Sequence, residues 1–435
     1  MTTDDTDPLA APLPRIAHVP AALTFASLVA GLALGLLLSL AAPGALPPVL
    51  AVAGPVGALW LQALQATIVP LVAGLLFTGV VQTVAMASAG AMARRSLGLF
   101  LGVLSFSAVV PLFVTPALLS AMPIPGSAGT ALGGGLAAAS GAAQLPNLTD
   151  YLLSLIPANV IEAAASGKML PMITFITVFA LAATRLHRGQ RDHLVMLFNA
   201  IASAMLVVIG WVLALAPVGV FALSLTVAAK SGAGAIGALA HYVMIVVLTG
   251  TVVFLAGYAL AVSVARRGLG EFARAMVPVQ VFALSTQSSL ASLPVMLDAC
   301  RELRLRATTG EFVLPLAVAL FRATSPAMNL AVVIYVARWY GVPLSLPMMV
   351  SGAVVAVLVS LSSVSLPGAL SYVASVGPIA LAMGVPVAPL AILVAVEMLP
   401  DLMRTLGNVT LDVAVTAAVD RAAPRAPAES VADGG

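Results

Sequence analysis

Residues 397–412 read EMLPDLMRTLGNVTLD, inside a run of Ala, Val, Ile and Leu long enough to be a membrane helix. That short stretch holds two Asp, a Glu, an Arg, an Asn and two Thr. At about 100° per residue, Glu397, Asp401, Arg404, Thr405, Asn408 and Asp412 share an arc of roughly 100°. The opposite face is Leu, Met and Val. A charge at the centre of a bilayer costs at least a few kcal/mol, so the stripe faces protein and not lipid. One ion pair suffices to dock two helices; six polar groups in line point to a binding face. A guanidinium suits a carboxylate through a bidentate fork, and a neighbouring Asp suits an ammonium. Asn408 and Asp412, one turn apart, offer hard oxygen ligands to a small cation.

The rest of the chain fits that reading. Its 435 residues are 61% apolar and only 8% charged, too few polar groups to cover the surface of a water-soluble domain. Apolar spans run at roughly 21–42, 50–87, 96–121, 150–184, 194–229, 239–264, 311–340 and 388–418. The expected class is an all-α polytopic membrane protein with the lipid bilayer as its surroundings. A net charge of +3 without a basic tract gives no sign of nucleic-acid binding. Cys300 is the only cysteine, so it forms no intrachain disulfide or Cys-based metal site and reads as a packing residue. No nucleophile–His pair, metal cluster or phosphate loop suggests an enzyme. Residues 1–20 are acidic and read as a cytoplasmic tail before a retained first helix. Residues 121–149, rich in Gly, Ala and Pro, read as a flexible external loop, and 421–435 as a disordered tail.

Lys and Arg set the orientation. With the N-terminus cytoplasmic, 14 of them fall inside and three (Lys168, Lys230, Arg338) fall outside or at the outer interface. The remaining two, Arg322 and Arg404, lie within spans. Both termini are then cytoplasmic. Two further apolar segments are broken mid-way, 275–297 by STQSS and 346–386 by SLSSVSLPGA (360–369). Short halves meeting at a Ser/Pro/Gly tip read as re-entrant hairpins. A hairpin followed by a helix occurs twice, at 268–340 and 346–418, with opposed entry sides, and paired breaks of this kind point to a transporter's binding site.

These segments resemble the dicarboxylate/amino acid:cation symporters, the family of the excitatory glutamate transporters and their archaeal homologues. DLMRTLGNVTLD (401–412) is similar to the family's last-helix signature, TQSSLASLP (286–294) to its first hairpin tip and SSVSLPGA (362–369) to its second. LAPVGVFAL (215–223) and LIPANVIEAAASGKMLP (155–171) resemble scaffold segments. The resemblance implies a glutamate-transporter-homologue fold of eight transmembrane helices plus two re-entrant helical hairpins in inverted repeats. It implies a homotrimer in the cell (inner) membrane. The scaffold half would comprise 21–120 and 150–264, and the moving transport core 265–420. That core would hold hairpin 1 (about 268–300), helix 7 (about 311–340), hairpin 2 (about 346–386) and helix 8 (about 388–418).

By position, the resemblance assigns Asp401 to a substrate ammonium and Arg404 to its side-chain carboxylate. Thr405, Asn408 and Ser325 would hold the rest, with the backbone around Ser288 and Ser289 and around Pro367 and Gly368 on the α-carboxylate. Asn408 and Asp412 would bind one sodium ion, Ser360 and Ser363 would line another cation site, and Glu397 would orient Arg404. If protons drive transport, Glu397 is the candidate carrier. No cofactor is expected beyond a coupling sodium ion or proton.

One departure stands out. The family's sodium-binding Asn-Met-Asp-Gly motif falls, counted without gaps from LPL (314–316), on Phe321, Arg322, Ala323 and Thr324. Both ligands are gone and Arg322 has appeared; the comparison casts it as a substitute for the cation, the alternative being a structural arginine that snorkels or pairs with Glu311 or Asp412. Sliding the count to Asn329 would restore an amide but no carboxylate. Gln287 replaces an Arg common in relatives. The expected function is secondary uptake of aspartate or glutamate coupled to a cation. The alternatives are a C4-dicarboxylate symporter and, from another class, an anion channel or a non-transporting sensor.

Overall fold

The computed structural model describes residues 21–88, 90–124, 156–166, 168–231, 234–362 and 368–422. Among them every regular element is helical. The helices are α1 (Ala21–Ala41), α2 (Leu46–Ala87), α3 (Ala91–Ala121), α4 (Val160–Ala165), α5 (Met169–Ala183), α6 (Arg188–Ala214), α7 (Ala216–Ser231) and α8 (Gly234–Ser263). They continue as α9 (Leu269–Thr286), α10 (Leu293–Glu302), α11 (Ala307–Leu320), α12 (Ser325–Trp339), α13 (Leu346–Ser362), α14 (Gly368–Ala382), α15 (Leu390–Leu393) and α16 (Met398–Ala422). Six helical stretches among the described residues are long and apolar enough to cross a membrane. At 1.5 Å per residue α2 is about 63 Å long, roughly twice the hydrocarbon thickness of a bilayer.

The spans read at 194–229 and 311–340 are each divided in two, and the segments read as broken are pairs of helices. The span read at 194–229 is two helices, because Pro217 has no N–H to continue the ladder and α7 starts afresh beside it. The span at 311–340 is α11 and α12, broken at residues 321–324, with Pro326 in the first turn of α12. Around 275–297, α9 ends at Gln287 in a left-handed conformation (φ 51°), and α10 restarts with Pro294 in its first turn. The second broken segment is α13 and α14. The residues joining them, 363–367, lie outside the described set.

α1 and α7 pack along their length, and α5, α6 and α7 all pack on α2. With no water to drive association, close backbone approach holds such helices together. A Cβ on Gly31 would meet the Phe221 carbonyl oxygen at 2.6 Å, and one on Gly74 would meet that of Phe198 at 2.8 Å. The Trp60 indole N–H donates to the Val212 carbonyl (2.8 Å), tying α2 to α6. α9 and α10 pack on each other and on α16, while α13 and α14 pack on α2 and α12.

Two helices that the sequence reading grouped with the scaffold, α3 and α8, pack on α12 and α16. Phe100 of α3 stacks on Phe321 in the helix break, with centroids 4.6 Å apart. Ser107 of α3 accepts the Ala327 amide (3.3 Å), one of the first-turn donors of α12 that lack a partner within the helix. His241 of α8 sits between α3 and α12. Its Nε2 donates to the Met122 carbonyl (3.0 Å), and its Nδ1 lies 3.1 Å from the Tyr335 hydroxyl.

Candidate functional site

The centre of the site is the first half of α16, buried against the break between α11 and α12. Asp401 stands in the first turn of α16, where the helix dipole favours an anion. Arg404, 3% exposed, lies one turn on. One of its terminal nitrogens donates both to Glu397 Oε1 (2.5 Å) and to Asp401 Oδ1 (2.8 Å). The other donates to Asn329 Oδ1 of α12 at 3.3 Å. Glu397, 1% exposed, just precedes α16. The rings of Tyr242 and Tyr372 are buried within electrostatic reach of Glu397 and Arg404. Taking several charges out of water costs several kcal/mol each, and their mutual attraction must offset that.

The helix break is fastened to the same face. The Thr324 amide donates to Asn408 Oδ1 (3.0 Å), and the Thr324 hydroxyl lies 2.7 Å from that oxygen and 2.9 Å from the Arg404 carbonyl. Gly407 is what lets the break come so close, because a Cβ there would strike the Thr324 methyl. The Thr405 hydroxyl donates back to the Asp401 carbonyl (2.9 Å). Asp412, one turn beyond Asn408, is 1% exposed. Arg322, at the break, is 9% exposed and lies within electrostatic reach of Asp401 and Asp412.

Among the polar atoms in this region that are buried with no hydrogen-bond partner among the described residues are Ser325 Oγ, Arg404 Nε, Glu397 Oε2 and both carboxylate oxygens of Asp412. Buried polar atoms are nearly always paired. Such a concentration, carrying both signs of charge, makes this face the candidate site for a charged ligand or ion. The sequence-predicted residues Ser325, Asp401, Arg404, Thr405, Asn408, Asp412, Glu397 and Arg322 thus converge on α16 and the break.

The remaining predicted residues stand elsewhere. Ser288 and Ser289 form the half-buried turn between α9 and α10, where the Ser288 hydroxyl accepts the Ala291 amide (3.2 Å) and its carbonyl accepts the Ser292 hydroxyl (2.8 Å). No hydrogen bond joins them to α16 among the described residues. Ser360 is buried near the end of α13, and Gly368 opens α14. Ser363 and Pro367 lie outside the described residues.

Sequence reasoning set Asn329 aside and did not consider Tyr242 or Tyr372. For Asn329 a signal existed: it is the single amide in the apolar run SPAMNLAVVIYV of α12, and a buried amide asks for a partner.

The model of the sodium:dicarboxylate symporter family matches residues 21–422, nearly the whole chain. The chain belongs to this family. Its members are transporters rather than enzymes, and family and helices together make the chain a multi-pass membrane protein. Over 260 residues it is 29% identical to the proton/glutamate-aspartate symporter of Escherichia coli (strain K12), covering 59% of each chain. That is less than two thirds of the relative's length. It is 24% identical over 374 residues to the proton/sodium-glutamate symport protein of Bacillus caldotenax, covering 83% of this chain and 86% of that one. It is also similar to the C4-dicarboxylate transport protein of Leptothrix cholodnii (strain ATCC 51168 / LMG 8142 / SP-6), 26% identical over 319 residues, covering 72% and 68%. Symporters in this family thus differ in cargo and in coupling ion at similar distance from this chain.

Proposed function

We propose that this chain is a secondary active transporter that imports acidic amino acids, aspartate or glutamate, with cation coupling. The carrying observation is the buried Asp401–Arg404 pair, with Arg404 Nε and Ser325 Oγ still lacking partners. An acidic amino acid brings the matching set: a carboxylate for the guanidinium and hydroxyl, and an ammonium for Asp401. A plain dicarboxylate offers Asp401 nothing. The Asn329 amide and Glu397 hold Arg404 in place from behind.

The working arrangement proposed is that of an elevator: eight spans and two re-entrant hairpins per protomer, three protomers in the cell inner membrane, both termini cytoplasmic. Ser288, Ser289, Pro367 and Gly368 would close over the substrate α-carboxylate from the two tips. A second reading has its own support. Arg322 lies within electrostatic reach of Asp401, and a guanidinium that cancels that carboxylate would leave a site for a C4-dicarboxylate.

The test is uptake of labelled aspartate, glutamate and succinate by proteoliposomes under imposed sodium or proton gradients. Accumulation of aspartate or glutamate against a concentration gradient supports the reading. Equal passive flux without an ion gradient marks a channel, no flux a sensor, and succinate alone the dicarboxylate carrier.

A further inference from the structure

We propose that Arg322 is a covalently tethered cation, filling the place where a free coupling cation would otherwise neutralise Asp412. What this means for coupling rests on the transport reading, but the site itself can be tested without any substrate.

Asn408 and Asp412 are hard-oxygen side chains one turn apart on α16. An amide oxygen has two lone pairs. In Asn408 one is taken by the Thr324 amide (3.0 Å), and the Thr324 hydroxyl sits over the other at 2.7 Å, its single proton shared between this oxygen and the Arg404 carbonyl (2.9 Å). A cation arriving here would have to displace the contact that fastens the α11–α12 break to α16. Asp412 is in the opposite condition. It is 1% exposed, and neither carboxylate oxygen receives a hydrogen bond among the described residues. A carboxylate so placed requires positive charge close by.

Two residues before Thr324 stands Arg322, itself buried, on the segment that Thr324 pins against α16. It lies within electrostatic reach of Asp412 as well as Asp401. Pinning the break therefore does two things at once: it occupies the amide oxygen, and it holds a buried guanidinium in the neighbourhood of the carboxylate with no direct hydrogen bond between them. The charge balance agrees. With all three carboxyls ionised, Glu397, Asp401 and Asp412 set against Arg322 and Arg404 leave one negative charge; without Arg322 the deficit would be two, to be met by a further monovalent cation or by a proton. A carrier built this way has one ion fewer to recruit and one ion fewer to couple.

The experiment measures thermal unfolding of the full chain in detergent, without substrate. Sodium chloride or guanidinium chloride at millimolar concentration is titrated against choline chloride at constant ionic strength. The chains compared are wild type, Arg322→Ala, Arg322→Lys and the charge-balanced pair Arg322→Ala/Asp412→Asn. The expected result is a lowered Tm for Arg322→Ala, raised again by several degrees by guanidinium or sodium. Wild type and Arg322→Lys should show no such rise, and the response should vanish when Asp412→Asn is added. An Arg322→Ala chain recoverable only when purified in one of those ions also supports the proposal. Overturning results are an Arg322→Ala chain that responds to both ions as wild type does, or one recovered in neither ion while the charge-balanced pair folds. Failure of wild type to carry any acidic substrate would sink the transport reading and leave these ion responses standing.

Discussion

At the scale of single residues, Arg404 is the hub. One nitrogen holds two carboxylates and another reaches across to Asn329 on α12. Arg404→Ala would strand Glu397 and Asp401 as buried charges of like sign, an expected loss of about 3–5 kcal/mol, read as a fall in unfolding temperature. Arg404→Lys should fall between, since an ammonium is a point charge and cannot span a planar fork. Much of this hub was legible in advance. The 3.6-residue period alone put Glu397, Asp401, Arg404, Thr405, Asn408 and Asp412 on one face. Asn329 was not, because its partner is 75 positions away in sequence and no spacing within α12 reveals it. The Thr324–Asn408 contact, 84 positions apart, was hidden for the same reason.

At the scale of elements, the α11–α12 break is the part that sequence reasoning half resolved. Ser325-Pro326 within the span read at 311–340 is a local mark of interruption, and the structure breaks the span just before it, at residues 321–324. Two separate helices result because α16 and α3 supply partners that a continuous helix would have supplied internally: Asn408 for the Thr324 amide and Ser107 for the Ala327 amide. Thr324→Val keeps the shape and removes the hydroxyl, with an expected cost of about 1–2 kcal/mol, measured by thermal unfolding. Gly407→Ala should cost about 1–3 kcal/mol, because its new methyl drives against Thr324. If Gly407→Ala is neutral, the break is not tightly docked on α16. By contrast, the paired apolar halves of α9–α10 and α13–α14 were readable, since Gln287, Pro294 and the SLSSVSLPGA stretch interrupt the helical pattern locally.

At the scale of the whole molecule, composition made the class legible, while the grouping of helices was not. α3 and α8 look from sequence like any other apolar span. Only packing reveals that they lie against α12 and α16, because lipid-facing and protein-facing apolar residues are chemically alike. The charge asymmetry makes a prediction here. In a Cys300→Ser background, Arg188→Cys and Arg338→Cys should react with a membrane-impermeant thiol reagent from opposite sides, position 188 from the cytoplasm. Reaction of both from one side would overturn the orientation.

The central claim is that the buried Asp401–Arg404 pair receives an acidic amino acid. Proteoliposomes of wild type and Asp401→Asn, given labelled aspartate and labelled succinate in parallel, test it most directly. Wild type should accumulate aspartate. Asp401→Asn should lose about 100-fold or more in apparent affinity for it, some 3 kcal/mol for a buried charge left unmatched, with succinate uptake unchanged or improved. Aspartate uptake that is indifferent to Asp401→Asn, or wild-type uptake of succinate alone, would contradict the account.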